Sequence, residues 1–268
     1  MLKIDRLALD FRRYSGLARQ THIRALSDIS LSLERGEILA VVGASGGGKS
    51  LLAHAVMGHL PPNARTSGTI LLDGQPVSDA ERRALCGKRL ALVPQSISHL
   101  DPMVRTSLQI GWAARRGGRC ARESAAAIPA ALDRFGLPRK SAQAFPHELS
   151  GGMARRVLLA IATAGDADLI IADEPTIGLD APNAQAALRH LRELADAGKA
   201  IMLITHDLVG ALPFADRVAI LRDGKLVASE VAAEFSGTAD RLVSPYARAL
   251  WQALPQNHFA AGADHVNA

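Results

Sequence analysis

The amino-acid sequence predicts an α/β fold with a mixed, mainly parallel sheet, an antiparallel β region near the N-terminus and a helical insert. Short apolar runs such as residues 37–42 and 169–172 are typical of strands buried on both faces of a parallel sheet. Residues 2–11 alternate between apolar and polar positions, which indicates a strand with one buried face. From about residue 98 to 164, helical spacing replaces the strand pattern, so this segment is predicted to be mostly helical.

The individual elements follow along the chain in an order that supports this fold class. Residues 29–33 predict a second N-terminal strand, and residues 51–57 predict a helix. The remaining elements are predicted as strands at 169–172, 200–204 and 217–221 and as helices at 183–195 and 245–253. We expect a single domain over residues 1–255, which contains a helical subdomain at about 98–164, and a disordered tail at 256–268.

Composition and charge exclude several classes of protein. The 268 residues are 48% hydrophobic, which is enough to form the core of a large folded domain. No run approaches the roughly 18 consecutive apolar residues of a membrane span, and the N-terminus lacks the apolar region of a signal peptide, so we expect a cytoplasmic location. Cys86 and Cys120 lie far apart and are expected to be reduced thiols. The net charge of +5 is scattered, which favours a solvated basic surface over a nucleic-acid site.

A glycine-rich loop at residues 43–50 matches the phosphate-binding pattern G-x-x-x-x-G-K-[ST] between a predicted buried strand and a predicted helix. Glycines allow backbone N–H groups and the helix N-terminus to approach a phosphate closely. Lys49 is predicted to reach the outer phosphates, and the Ser50 hydroxyl is predicted to bind Mg²⁺. A flexible glycine turn would account for neither the Lys-Ser pair nor the preceding strand. The candidate nucleotide-binding residues of this segment are Gly43, Ala44, Ser45, Gly46, Gly47, Gly48, Lys49, Ser50 and Leu51.

Two further predicted strands end in polar side chains. Asp173 and Glu174 follow a buried strand, at the carboxyl edge where α/β sheets place their ligands. Since side chains alternate along a strand, Asp173 is predicted to bind Mg²⁺ and Glu174 to act as general base for an attacking water. His206 follows the strand at 200–204 and could hydrogen-bond a γ-phosphate and that water. The alternative for His206 is a helix-capping turn at residues 205–207 that has no catalytic part.

Residues 149–153 read LSGGM and resemble the signature of the ABC ATPase family, whose pattern is LSGGQ-like. The other motifs occur in the family's order: the phosphate loop, Gln95, the signature, Asp173-Glu174, Leu179-Asp180 and His206. The resemblance covers about residues 2–254 and implies the P-loop NTPase core of an ABC ATPase, with ATP and Mg²⁺ as cofactors. It also implies that Gln95 joins Ser50 and Asp173 as a candidate Mg²⁺ ligand. The further nucleotide contacts that it implies are Phe11, for which Tyr14 is the alternative, Gln95, Ser150, Gly151, Gly152 and Asp180.

The resemblance implies partners that one chain cannot supply. Two ATPase subunits would pack head to tail, so that residues 150–152 of one cap the nucleotide in the phosphate loop of the other. ATP would favour the closed dimer, and hydrolysis would let it open. The second subunit is either another copy of this chain or a similar ATPase, and the resemblance favours the heterodimer. The expected assembly also has two membrane permease subunits and, indirectly, an extracytoplasmic solute-binding protein, with no nucleic acid. The chain would then lie peripherally on the cytoplasmic face of the inner membrane.

Within the family, three segments resemble the ATPases of peptide and nickel importers: residues 145–153, 171–176 and 244–250. Residues 58–62 are most similar to the nickel-importing branch. The expected function is therefore ATP hydrolysis that drives uptake of a peptide-like substrate, nickel or a metal chelate. The sequence departs from the family at Met153, where glutamine is usual, and at 154–156, which read Ala-Arg-Arg in place of Arg-Gln-Arg or Leu-Gln-Arg. The alternative is a soluble ABC ATPase that acts on ribosomes or nucleic acid.

Overall fold

The candidate functional residues follow the strands of a central sheet in the computed structural model, which describes residues 1–15, 19–254 and 257. The strands are β1 (Leu2–Ser15), β2 (Arg19–Leu33), β3 (Ile38–Val42), β4 (Ala64–Leu72), β5 (Gln75–Pro76), β6 (Leu90–Val93), β7 (Leu169–Asp173), β8 (Ala200–Ile204), β9 (Arg217–Arg222) and β10 (Lys225–Val231). The α-helices are α1 (Lys49–Met57), α2 (Asp79–Leu85), α3 (Thr106–Arg116), α4 (Ala121–Arg134), α5 (Gly151–Thr163), α6 (Ala181–Asp196), α7 (Leu208–Ala211) and α8 (Pro245–Gln252). Short 3₁₀ helices lie at Ile97–His99, Arg139–Gln143, Pro146–Glu148 and Ala232–Glu234.

The central sheet has six strands in the order β10-β9-β3-β8-β7-β6. All neighbouring pairs are parallel except β10 and β9, which form an antiparallel hairpin. Every residue of β3, β7 and β8 is buried, as expected for apolar strands covered on both faces. Because parallel strands end at the same edge, the segments after Val42, Asp173 and Ile204 are brought close together. The predicted fold class is confirmed by this sheet and by the second sheet beside it.

The second sheet is antiparallel, with the strand order β2-β1-β4-β5. The two N-terminal strands pair from Leu2 opposite Leu33 to Ser15 opposite Arg19, so they extend well beyond the apolar segments that predicted them. Strand β4 was not predicted from the sequence. Its first six residues are exposed or half-buried, so it lacks the apolar alternation by which a strand is recognised.

Alternate residues of the central strands face two separate hydrophobic cores. On β3, Ile38, Ala40 and Val42 belong to one core, while Leu39 and Val41 belong to the other. The first core is completed mainly by the helices, and the second by the antiparallel sheet together with α1. Because successive side chains of a strand point to opposite faces, the central sheet packs against the helices on one face and against the antiparallel sheet with α1 on the other.

Helices α3, α4 and α5 pack on one another over the first core, through side chains such as Ile110, Leu132 and Leu159. They lie within the segment at about 98–164 that was predicted to be helical. In the described ranges, no helix has both the length and the apolarity needed to cross a membrane. The predicted disordered tail at 256–268 lies, apart from Asn257, outside the described residues.

Candidate nucleotide-binding and catalytic site

The phosphate loop leaves the carboxyl end of β3 with a backbone that only glycine can adopt at its first position. Gly43 has φ = 151°, and a Cβ at this position would lie 2.0 Å from the carbonyl oxygen of Leu221 in β9. Gly46 and Gly48 also have positive φ, of 80° and 96°. Gly48 is the N-cap of α1 and has no side chain to occupy the helix N-terminus. The loop therefore presents backbone N–H groups and a helix N-terminus, which together form an anion-binding site.

The Lys49 ammonium group is held across this loop. The side chain is buried, and Nζ donates hydrogen bonds to the carbonyl oxygens of Gly43 at 2.7 Å and Ala44 at 3.0 Å. A buried ammonium group needs such acceptors, and phosphate oxygens are stronger ones. Lys49 is therefore placed to exchange its carbonyl partners for the oxygens of a bound phosphate.

Asp173 ends strand β7 as a buried carboxylate beside Ser50. Burial raises the pKa of the Asp173 carboxyl; a hydrogen bond with the Ser50 hydroxyl opposes this change, and Glu174 adds to it. The Oδ1 atom is buried and, among the described residues, has no hydrogen-bond partner. A buried carboxylate oxygen without a partner next to a hydroxyl matches the hard oxygen ligands that Mg²⁺ takes. The donor set of Ser50 and Asp173 therefore fits a magnesium ion.

Glu174 pairs with His206 across neighbouring strands. Glu174 is 6% exposed and has a left-handed backbone, with φ = 51°. Its N–H group donates to the carbonyl oxygen of Ile204 at 2.9 Å, which fixes the residue against the end of β8. Both carboxylate oxygens lie 2.9 Å from His206 Nδ1. The His206 side chain is 63% exposed, so the pair places a buried carboxylate behind an imidazole that faces solvent.

The helix-capping alternative for residues 205–207 is also present in the structure. Asp207 Oδ1 accepts a hydrogen bond from the Gly210 N–H group at 2.9 Å and caps α7. The Thr205 hydroxyl accepts from the Asp207 N–H group at 3.0 Å. The cap uses Asp207 and Thr205, so the His206 ring stays available for Glu174.

The loop after β6 carries Gln95, whose side chain is exposed. Its backbone is held by Arg155 of α5, which donates from Nη1 to the Pro94 carbonyl oxygen at 2.8 Å and from Nη2 to the Gln95 carbonyl oxygen. Arg155 was not predicted as a site residue. The available signal was its position in the apolar helix α5, next to buried Ala154, where a charged residue requires a specific partner.

The signature residues form the N-terminus of α5. Ser150 is the N-cap, and its Oγ accepts a hydrogen bond from the Met153 N–H group at 3.3 Å. Ser150 and Gly151 are exposed, and a Cβ on Gly152 would be 3.6 Å from the Gly178 carbonyl oxygen. The signature therefore presents an accessible helix N-terminus of the kind that binds anions.

Asp180 and Phe11, two predicted nucleotide contacts, interact with other residues of the chain in the structure. Asp180 caps α6, because its Oδ1 accepts from the Asn183 N–H group at 2.9 Å, and this contact lowers the pKa of the Asp180 carboxyl. Phe11 is half-buried on β1, paired with Ile23 and Ala64, and packs against the second core. The side chain of Tyr14, the alternative to Phe11, lies outside the described residues. Adenine stacking by Phe11 stays a prediction.

Comparison with known sequences identifies the family. A family model described as ABC transporter matches residues 26–177, which is more than half of the chain. The chain is 38% identical over 241 residues to "Oligopeptide transport ATP-binding protein OppD" of Lactococcus lactis, covering 87% of this chain and 70% of that protein. It is 36% identical over 225 residues to "Nickel import ATP-binding protein NikD" of Pseudomonas putida, covering 82% and 87%.

Solved structures support the same assignment. "Dimeric Structure of MJ0796, a Bacterial ABC Transporter Cassette" superposes with a TM-score of 0.76 at 25% identity, covering 87% of this chain and 99% of that one. A post-hydrolysis dimer of the same cassette, bound to ADP and Pi, has a TM-score of 0.75 at 26% identity with the same coverage. Since the family model spans more than half of the sequence and the relatives match over most of their length, this chain is a member of the ABC transporter family, in which it is a subunit that binds and hydrolyses ATP.

Proposed function

We propose that this chain is the ATPase subunit of an importer that takes up a peptide-like substrate, nickel or a metal chelate through separate membrane permeases. The observation that carries the ATPase chemistry is the buried Glu174 carboxylate paired with His206, beside Asp173 and the phosphate loop. The importer assignment rests on relatives whose names specify oligopeptide transport, dipeptide transport and nickel import. The peripheral position on the cytoplasmic face of the inner membrane is part of this proposal.

ATP binds through the phosphate loop in this proposal. Backbone N–H groups of residues 43–51 and the N-terminus of α1 meet the phosphate charge, and Lys49 donates to the outer phosphates. Phe11 stacks on the adenine ring. The loop's positive φ angles support this role, because they turn the backbone around an open space at Gly46, where a Cβ would meet no described atom within 4 Å.

Mg²⁺ is held by Ser50, Asp173 and Gln95 in this proposal. The unpartnered Oδ1 of Asp173 and the neighbouring hydroxyl of Ser50 support the first two ligands. Gln95 is exposed and reaches the ion only when its loop is correctly placed. A bound Mg²⁺ supplies positive charge that neutralises the phosphate oxygens during transfer.

Hydrolysis uses the pair at the ends of β7 and β8. The oxygen of a water molecule attacks the γ-phosphorus atom, its proton passes to Glu174, and the bond to the ADP oxygen breaks. His206 Nδ1 holds the Glu174 carboxylate in place, and the exposed side of its ring faces the γ-phosphate. The strained backbone of Glu174 supports this role, because such conformations concentrate at active sites.

A second ATPase completes each site. Residues Ser150, Gly151 and Gly152 of one subunit cap the nucleotide of the other, and Asp180 lies beside that interface. The exposed N-terminus of α5 and the dimeric state of two similar cassettes support this arrangement. We propose a heterodimer with a similar ATPase in preference to a homodimer.

The permeases contact the groove between the helical layer and the central sheet. A cavity of about 530 Å³ in this region is lined by Leu92, Trp112 and Arg116 among others. Trp112 and Leu108 of α3 are each 51% exposed, and a spacing of four residues puts them on one face of the helix. A helix of a permease subunit would cover both side chains.

Co-purification of the tagged chain from its native membrane tests the importer assignment, with mass spectrometry of the retained proteins. We expect two permease subunits and a second ATPase. Trp112→Ser should reduce recovery of the permeases without lowering ATP binding. Lys49→Ala should lower ATP binding and leave recovery of the permeases unchanged. Recovery of ribosomal or nucleic-acid-binding proteins without permeases would overturn the transport role and favour a soluble ATPase.

A further inference from the structure

Arg155 is a buried cation at the junction between the helical layer and the central sheet. Only 4% of the residue is exposed. Its guanidinium group donates to two successive backbone carbonyl oxygens, those of Pro94 and Gln95. The Nε atom is buried and, within the described ranges, has no hydrogen-bond partner. Arg155 therefore binds the backbone of the loop after β6 and does not depend on the Gln95 side chain.

The two ends of this contact belong to different parts of the composite site. Arg155 lies on α5, whose N-cap is the signature residue Ser150. The loop that it binds carries Gln95, the proposed Mg²⁺ ligand. A displacement of α5 away from the sheet must either carry the Gln95 loop with it or leave two carbonyl groups and a charge without partners, which is costly in a buried position.

The charge of Arg155 also acts on the catalytic carboxylates. Burial lowers the pKa of the guanidinium group, and Asp173 and Glu174 oppose this change. Arginine stays protonated in proteins, so the charge persists at any working pH. Its positive charge therefore partly balances two neighbouring buried carboxylates.

We propose that Arg155 is a positioning residue that joins the signature helix to the Gln95 loop, so that a movement of one reaches the other. The inference rests on the proposed ATPase function of this site. Arg155 occupies the position where the family resemblance indicates glutamine, whose neutral side chain is shorter. The join in this chain is consequently made by two charge-assisted hydrogen bonds.

A double-mutant cycle on the full-length chain tests this role. The variants are Arg155→Gln, Gln95→Ala and the double variant, with kcat and KM from Mg²⁺-ATP hydrolysis, affinity for a fluorescent ATP analogue and thermal unfolding. Arg82→Gln is the matched control, because Arg82 is also 4% exposed and its guanidinium group donates to the Val77 carbonyl oxygen and the Asp79 carboxylate, neither of which belongs to a predicted site residue.

We expect Arg155→Gln to lower kcat roughly tenfold to hundredfold, as misplaced catalytic groups do, while nucleotide affinity changes by less than about twofold. The double variant should be no slower than Gln95→Ala alone, because the loss passes through Gln95. Additive losses would overturn the proposal, as would an equal loss of kcat in Arg82→Gln or a kcat near the wild-type value in Arg155→Gln. If Arg155→Gln does not fold, Arg155→Lys replaces it in the cycle with the same expected non-additivity.

Failure of the proposed ATPase site gives a different result. Lys49→Ala would then hydrolyse ATP at the wild-type rate. If Lys49→Ala is inactive and the Arg155 and Gln95 effects are additive, the ATPase assignment stands and the joining role of Arg155 is wrong.

Discussion

Replacement of Gly43 by alanine should destabilise the whole fold, whereas the same change at Gly46 should act mainly on nucleotide binding. Both glycines lie in the phosphate loop and both have positive φ. They differ in the space around them. A Cβ on Gly43 would lie 2.0 Å from the backbone oxygen of Leu221, while a Cβ on Gly46 would meet no described atom within 4 Å.

The magnitudes follow from this difference. Left-handed backbone strain costs alanine about 1–2 kcal/mol at either position. Gly43→Ala additionally forces β9 or the loop to move, and such overpacking costs about 1–3 kcal/mol. At roughly 2–4 °C per kcal/mol for a chain of this size, Gly43→Ala should melt about 6 °C below Gly46→Ala.

Thermal unfolding by circular dichroism measures the difference, and titration with a fluorescent ATP analogue measures binding. We expect Gly46→Ala to fold but to bind the analogue weakly, because its methyl group occupies the space that the phosphates need. If Gly43→Ala melts within about 2 °C of Gly46→Ala, the contact between the loop and β9 is not rigid, and the predicted extra destabilisation of Gly43→Ala is wrong.

Three further variants test other parts of the site and fold. Glu174→Gln should retain nucleotide binding and lose roughly 10²–10⁴-fold in kcat, measured by phosphate release; wild-type hydrolysis would exclude Glu174 as the base. Asp173→Asn should raise the Mg²⁺ concentration for half-maximal hydrolysis at least roughly tenfold, and an unchanged Mg²⁺ titration would contradict the ligand role. Burial raises the pKa of the Asp168 carboxyl, but hydrogen bonds from Arg89 and Arg35 lower this pKa by more. The ionised carboxylate therefore stabilises the fold above about pH 4, and this stabilisation is lost as the pH falls through the lowered pKa of the folded state. Asp168→Asn should therefore cost about 1 kcal/mol at neutral pH and little near pH 2 in urea unfolding; an equal cost at both pH values would contradict the charge pairing.

The parts of this molecule that the sequence predicts well are those in which the signal is local. Strands β3, β7 and β8 are short apolar runs, and predicted site residues lie at or just beyond the carboxyl end of each. The phosphate loop is a continuous segment, and its glycine pattern alone predicts a backbone that wraps around a phosphate. The parallel order of these strands then brings the three segments to one edge without further information.

The contacts between distant segments could not be predicted in this way. The pairing of Glu174 with His206 depends on β7 and β8 being neighbours, although helix α6 separates them in sequence. Arg155 is one of two adjacent arginines in an otherwise apolar helix, and only the packing of α5 on the loop after β6 shows which partners it has and that it is buried. Strand β4 is largely exposed and has no apolar periodicity in its sequence. It is a strand because it pairs with β1, and that pairing cannot be seen in the sequence of β4 alone.

The two halves of the proposed composite site differ in how firmly the fold holds them, and this difference has a physical reason. Asp173 ends the buried strand β7 and Glu174 follows it directly, so both are held by the sheet before any ligand arrives. Ser150 and Gly151 are exposed at a helix N-terminus, and a Cβ on Gly151 would meet no described atom within 4 Å. A group that must approach another subunit's nucleotide has to remain accessible until the dimer closes. If Arg155 joins that helix to the Gln95 loop, closure on the partner's nucleotide also repositions a group in the chain's own site, and the two sites of the dimer become coupled through a single buried side chain.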